Sequence, residues 1–458
     1  MRTSVSFAVA ILLLGAAPAG AMTLEEALAA AYVGNPTLQA QRAALRATDE
    51  QVPQALSGWR PRVALNGSAG RVWSDSSISG DTTLNSRQAG ATLTQPLFRG
   101  FRTVNSVDAA ENVVLSARSQ LASVEQQILL NVAEVYSNVL RDQAVVELSV
   151  NNEQVLRRQL GATQDRFEVG EITRTDVSQA ESRVARARAS RITAEGQLMA
   201  SRATFQRLVG VPPENLEPPA QLPALPGTLE EAVARALEEQ PDVVAAVYGA
   251  RAAEDVVDVV RGELLPEVSL QASHNRGWDT QVRGQRADTS QIVANVAVPL
   301  YQSGAVYSRV REAKSTAGQR RIQVEQAQVA ARERAIQAWE NLVSARAEIE
   351  SREAQVDAAT TALDGVQREA QVGARTVLDV LDAEQELFIA NVDRVGAQRT
   401  QRVAAFALLA ATGGLTAENL GLPVEVYDPS VHYQAVRNKW FGTDSPMDVP
   451  ELVPAATN

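Results

Sequence analysis

Val372–Leu387 reads VGARTVLDVLDAEQEL, and Val169–Val184 reads VGEITRTDVSQAESRV. Gly170 and Gly373, Thr173 and Thr376, and Asp176 and Asp379 coincide at one offset, as do Ala180 with Ala383 and Glu181 with Glu384. The residue types explain the spelling. A glycine frees the backbone where one helix must stop and the chain must reverse. Thr-x-x-Asp then fits a capping box, with Asp standing in for Glu, and its acid suits the positive end of a new helix. Each stretch predicts a turn between two antiparallel helices. The second copy adds Asp382, and Asp379, Asp382 and Glu386 fall at i, i+3 and i+7 on one helix face. In a lone chain that face is simply solvated. In a threefold assembly with the face turned inward, Asp379 and Asp382 would form two stacked rings of carboxylates.

Outward from these turns the whole chain repeats. TLEEALAAAYVGNP (Thr23–Pro36) returns as TLEEAVARALEEQP (Thr228–Pro241), and the QPLF beginning at Gln95 returns as the VPLY beginning at Val298. The duplicated unit covers 22–210 and 228–413, joined by the proline-rich seam 211–227, which cannot be helical. A C-terminal segment at 414–458 follows. Each half reads helix, strand, strand, long helix, helix. Thr23 with Glu26 and Thr228 with Glu231 begin the first helices, which are expected to run to Ser57 and Gly262. Strands are expected at about 61–72, 88–98, 266–278 and 290–301. They alternate: Val63, Leu65 and Ala69 share one face, Asn66 and Ser68 the other. Their length, alternation and flanking Trp59, Trp73, Phe98, Trp278 and Tyr301 suit transmembrane β-strands. Thr103–Phe167 and Val306–Ala370 contain no proline and predict two rods of coiled-coil type, each roughly 90 Å long.

Composition sets the compartment. Arg2, an apolar run and Ala19-Gly20-Ala21 read as a secretory leader over 1–21, with an apolar stretch too short for a membrane anchor. The chain holds no Cys, so neither a disulfide framework nor a lipidated cysteine is expected. No later segment is apolar and long enough for a transmembrane helix, so entry into a membrane would be through β-strands. A net charge of −11 argues against nucleic acid or anionic lipid as a partner. Two histidines, His274 and His432, and no thiol leave no catalytic or metal constellation, and no cofactor is expected. Arg183, Arg186, Arg188 and Arg191 read as a solvated face or as inter-helix ion pairs.

Four transmembrane strands leave two open edges that lipid cannot satisfy. The chain must therefore lend its strands to a shared cylinder. Two copies would give a side-chain-filled eight-stranded barrel; three copies would give twelve strands and room for a bore.

RFEVGEITRTDVSQAES (Arg166–Ser182) and QVGARTVLDVLDAEQEL (Gln371–Leu387) resemble the paired turns of TolC-type outer-membrane efflux proteins, as do the TLEEAL opening and the duplicated order. The resemblance implies an α+β membrane protein. It would be a homotrimer with a twelve-stranded barrel in the outer membrane, a twelve-helix periplasmic tunnel and a mixed equatorial belt. It implies a periplasmic adaptor and an ABC or proton-driven inner-membrane transporter as partners, and proteins or small toxic compounds as cargo. VEVYDPSVHYQAVRNKWFG (Val424–Gly442) resembles the tail of the type I secretion branch. On the same basis Asp379 and Asp382 match the pore constriction. Arg375 would link to Thr175 and Asp176 to hold the gate, and Val169, Gly170, Glu171, Val372 and Gly373 would meet the adaptor. Ala370 departs from the family pattern, which has tyrosine three residues before the second glycine. The reading from another class is an exported periplasmic coiled-coil spacer with a small β domain.

Overall fold

The computed structural model describes residues 22–77, 80–219 and 222–444. The expected leader at 1–21 and the end of the C-terminal segment, 445–458, lie outside the described residues. In chain order the elements are α1 (Leu24–Gly34), α2 (Pro36–Asp49), α3 (Gln51–Leu56), β1 (Arg62–Ser76), β2 (Gly80–Arg99), α4 (Arg102–Glu168) and α5 (Arg174–Val209). The second half supplies α6 (Leu229–Glu239), α7 (Pro241–Arg261), β3 (Glu267–Trp278), β4 (Arg286–Ala297), α8 (Ala305–Gln371) and α9 (Val377–Ala411), and α10 (Pro429–Arg437) closes the order. The expected sequence of elements is thus present twice. α4 and α8 have 67 residues each, about 100 Å of helix apiece.

Three expectations about boundaries are corrected. The entry helices are not continuous: α1 stops at Gly34, and α6 stops at Glu239. The cause is Pro36 and Pro241, each the first residue of the next helix, which force Asn35 and Gln240 into extended backbone. Asn35 compensates by accepting a hydrogen bond from the Thr37 amide at 2.9 Å. The first strand pair is also longer than expected. Ser76 pairs with Gly80 and Asp75 with Asp81, so most of the polar stretch between the two expected strands is strand ladder. Polar residues beyond an apolar band can extend a ladder as readily as apolar ones, because the ladder bonds are backbone bonds. β4 begins at Arg286 and ends at Ala297, ahead of Pro299, which has no amide to donate.

The chain divides into two compact units. One comprises Ala40–Ser123, Pro241–Ala330 and Tyr427–Asn458 and holds the sheet, antiparallel throughout in the order β1-β2-β3-β4. Register aligns the faces across the strands. Val63, Leu93, Ala272 and Ile292 form one cross-strand row, and Ala64, Thr92, Ser273 and Gln291 form the next, on the opposite face. Leu65 is 85 % exposed and Ile292 76 %. The outer strands β1 and β4 are therefore bare on an apolar face, and each has an edge without a ladder partner among the described residues. Beneath the sheet Val52, Ala110 and Val114 make a small core, and Val257 packs with Ala313 and Ala317.

The other unit comprises Met1–Gln39, Val124–Gln240 and Ala331–Val426. Its helices pack through small residues. Ala232, Ala338, Leu342, Ala345, Ala404, Ala405 and Leu408 form one core, against which Leu222 and Leu225 of the seam rest. Alanine at such positions lets backbones approach closely, as long paired helices require. The seam is tied down at its start, where the Met22 amide donates to the Asn215 carbonyl at 2.9 Å. The fully buried Tyr136 places its hydroxyl 2.6 Å from the Glu217 carbonyl and 2.8 Å from the Met22 carbonyl, and burial pushes this phenol up to about 12.

Candidate functional site

The two turns are built alike. Gly170 stands at φ 81° and Gly373 at φ 78°, the left-handed region that ends α4 and α8. The Glu171 amide donates to the Arg166 carbonyl at 3.0 Å and the Gly170 amide to the Phe167 carbonyl at 3.0 Å. Ala374 and Gly373 repeat the pattern on Glu369 and Ala370 at 2.9 and 3.2 Å. These are paired bonds of the Schellman kind, which satisfy the last helical carbonyls. Each following helix opens on a reciprocal capping box. The Thr173 amide donates to Asp176 at 2.9 Å and the Thr376 amide to Asp379 at 2.9 Å, while each aspartate amide donates back to the threonine hydroxyl. The backbone and hydroxyl bonds from Thr376 hold the Asp379 carboxyl below the usual range, and those from Thr173 do the same for Asp176.

Asp382 is free of the cap. Its Oδ1 accepts from the Arg183 guanidinium of α5 at 2.5 Å, and its side chain remains 57 % exposed. Asp379 and Asp382 thus project from the first turns of α9 in different states, one engaged by backbone and one by a cation of the adjoining hairpin. Below them Leu156, Ala180, Ala187, Val377 and Leu381 form the apolar contact between the two hairpins. Glu384 lies half-buried on α9, and its carboxylate accepts from Gln367 of α8 at 3.0 Å. Burial pushes this carboxyl up from its ordinary value.

Arg375 is met within the chain by Glu369 at 2.8 Å, across its own turn, rather than by Thr175 or Asp176. Val169 and Val372 stand 72 % and 81 % exposed beside the two glycines, and Glu171 pairs with Arg166 at 3.1 Å. Sequence reasoning missed Glu369 and the Glu384–Gln367 contact, and it named Arg183 only as one of a row. A signal for the first was present: Glu369 and Arg375 bracket the second glycine as Arg166 and Glu171 bracket the first, with the charges exchanged. The contact of Arg183 with Asp382 carried no such signal, because it joins residues 199 apart. The arginine row does supply inter-helix ion pairs, Arg183 to Asp382 and Arg191 to Glu153 at 2.6 Å. Among the described residues no group of three or more metal-ligating side chains occurs.

Residues 27–211 and 232–414 match the family model for "Outer membrane efflux protein". The chain is 36 % identical over 447 residues to the outer membrane efflux protein BepC of Brucella suis, covering 96 % of each chain. It is 26 % identical over 345 residues to the alkaline protease secretion protein AprF of Pseudomonas aeruginosa, covering 72 % of each. Its fold superposes on the outer membrane protein VceC of Vibrio cholerae with a TM-score of 0.75 at 21 % identity, covering 85 % of this chain and 96 % of that one.

Proposed function

Because the chain belongs to the outer membrane efflux protein family, and so is an outer-membrane export protein rather than an enzyme, we propose that three copies assemble into a gated conduit that carries cargo from an inner-membrane transporter and its adaptor to the cell exterior. The observation that carries this reading is the open sheet. Among the described residues β1 and β4 each offer an unpaired edge and an apolar face, and in lipid every backbone amide must be satisfied. Three sheets of four strands close a twelve-stranded barrel in the outer membrane wide enough to leave a bore, with the paired helices continuing as a tunnel of twelve through the periplasm. The kinship with a protease secretion protein favours protein cargo by type I secretion.

The helical turns form the periplasmic end of this conduit. Asp379 and Asp382 of three copies ring the constriction, where like charges confined in a throat attract cations. Arg375 exchanges its contact with Glu369 for Thr175 and Asp176 when the closed assembly forms, and the exposed Val169 and Val372, with Gly170, Glu171 and Gly373, meet the adaptor. The test is a planar bilayer. The wild type is expected to form a heat-labile oligomer on unboiled gels, a cation-selective pore and block by a trivalent cation; Asp379→Ala/Asp382→Ala is expected to lose the block. A soluble monomer without conductance sinks the conduit, and equal block in both proteins removes the rings.

A further inference from the structure

Just beyond α10 stands Lys439-Trp440-Phe441, which neither the sheet nor the helical turns account for. Trp440 is 56 % exposed and Phe441 87 %, and their ring centroids lie 6.5 Å apart. The two rings make one bare apolar surface. This surface is held in place. An Arg60 guanidinium nitrogen donates to the Lys439 carbonyl at 2.9 Å, and the guanidinium lies 5.0 Å from the centre of the Trp440 ring. α10 itself is fastened to the helices below the sheet. Arg437 pairs with Glu111 of α4 at 2.9 Å, and the buried His432 pairs with the buried Asp49 of α2 at 2.9 Å.

Arg60 also fixes the height of the pair. It precedes Pro61 and Arg62, where β1 begins, and the neighbouring Trp59 carbonyl accepts from Gln95 of β2 at 2.8 Å. The two rings therefore stand at the base of the sheet, where strands give way to helices. Arg60 places a cationic group at the same level, while the Lys439 ammonium is held by the Asp444 carbonyl at 2.6 Å. Indole and phenyl rings beside lysine and arginine are the chemistry of a membrane interface, the rings entering the acyl boundary and the cations taking lipid phosphates.

We propose that Trp440 and Phe441 form a foot that inserts into the periplasm-facing phospholipid leaflet of the outer membrane, with Arg60 binding headgroup phosphates. The foot rests on the reading that β1–β4 span that membrane. It adds a peripheral lipid contact outside the barrel, and it sets the depth at which the sheet sits.

The absence of cysteine permits a direct test in the full chain. Thr443→Cys places a label beside the foot without altering it, and Leu65→Cys places one on the apolar face of β1. Each protein is labelled with an environment-sensitive fluorophore and reconstituted into phosphatidylethanolamine–phosphatidylglycerol vesicles carrying shallow or deep spin-labelled lipid. The label at 443 is expected to be quenched several-fold more by the shallow quencher, and the label at 65 by lipid quenchers in general. Adding Trp440→Ser/Phe441→Ser is expected to abolish quenching at 443 and leave it at 65. Quenching at 65 with none at 443 overturns the foot while the span stands, and a shielded label at 443 that ignores spin-labelled lipid assigns the rings to a neighbouring copy. Quenching at neither position overturns both readings. Undiminished quenching at 443 after the double substitution removes Trp440 and Phe441 from the contact.

Discussion

Asp379 and Asp382 lie one helical turn apart and do different work. Asp379 closes a capping box, and a cap alone accounts for its presence; Asp382 is held by Arg183 and has no role in the turn. Arg375 and Glu369 are each about half exposed, so water screens their pair and it can be exchanged cheaply for another partner. If the closed gate uses the neighbouring Thr175 and Asp176, Arg375→Ser raises closed-state conductance in a bilayer while Glu369→Gln does not. A rise in both places the latch within the turn. Glu384 offers a pH test. Its folded carboxyl titrates above the ordinary 4.5, so the unfolded chain gives up its proton first as pH rises. Stability contributed by the protonated form is then lost from about the unfolded value up through the folded one. Glu384→Gln keeps an acceptor for Gln367, so the thermal midpoint is expected to rise at neutral pH and to match the wild type well below 4.5. An unchanged pH profile rejects this account.

At the scale of elements, proline decides where helices break and one tyrosine ties the seam to a rod. Pro36 and Pro241 divide the entry segments at equivalent places in the two halves, so the breaks belong to the duplicated plan. The proline-rich seam has few amides with which to build structure of its own, and Tyr136 of α4 reaches its Glu217 carbonyl. Tyr136→Phe keeps the ring beside Phe205 and removes only the hydroxyl, leaving the Glu217 and Met22 carbonyls short of a donor. Urea unfolding in detergent is expected to show a loss of about 1–2 kcal/mol. No loss means that the hydroxyl contacts do not hold the seam.

For the whole molecule the sheet is decisive. One apolar row, Val63, Leu93, Ala272 and Ile292, crosses all four strands, and the row beside it carries Thr92, Ser273 and Gln291 on the opposite face. In the proposed barrel, this alternation gives one side to lipid and the other to the lumen. Leu65→Arg puts a charge on the apolar side, at a cost of roughly 2–4 kcal/mol if it lies near the bilayer midplane. Outer-membrane oligomer is expected to fall sharply in that variant, while Asn66→Arg, one residue on and facing the other way, assembles normally. Equal yields from the two variants contradict the assigned faces.

The duplicated turns, the order of elements and the identity of the capping residues were legible in the linear chain, because each depends on contacts within about six residues: a glycine at positive φ, a threonine and an aspartate three residues on. Membership in the efflux family was legible for the same reason, since the turn motifs are contiguous. Strand ends were not, because a ladder stops where its partner stops, and Asp75 and Ser76 are strand only because Asp81 and Gly80 lie opposite. The pairing of Asp382 with Arg183, the burial of Glu384 beneath Gln367 and the placing of Trp440 over Arg60 were decided only in three dimensions. Each joins residues that no local rule couples, and packing alone brings them within reach of Coulomb attraction and hydrogen bonding.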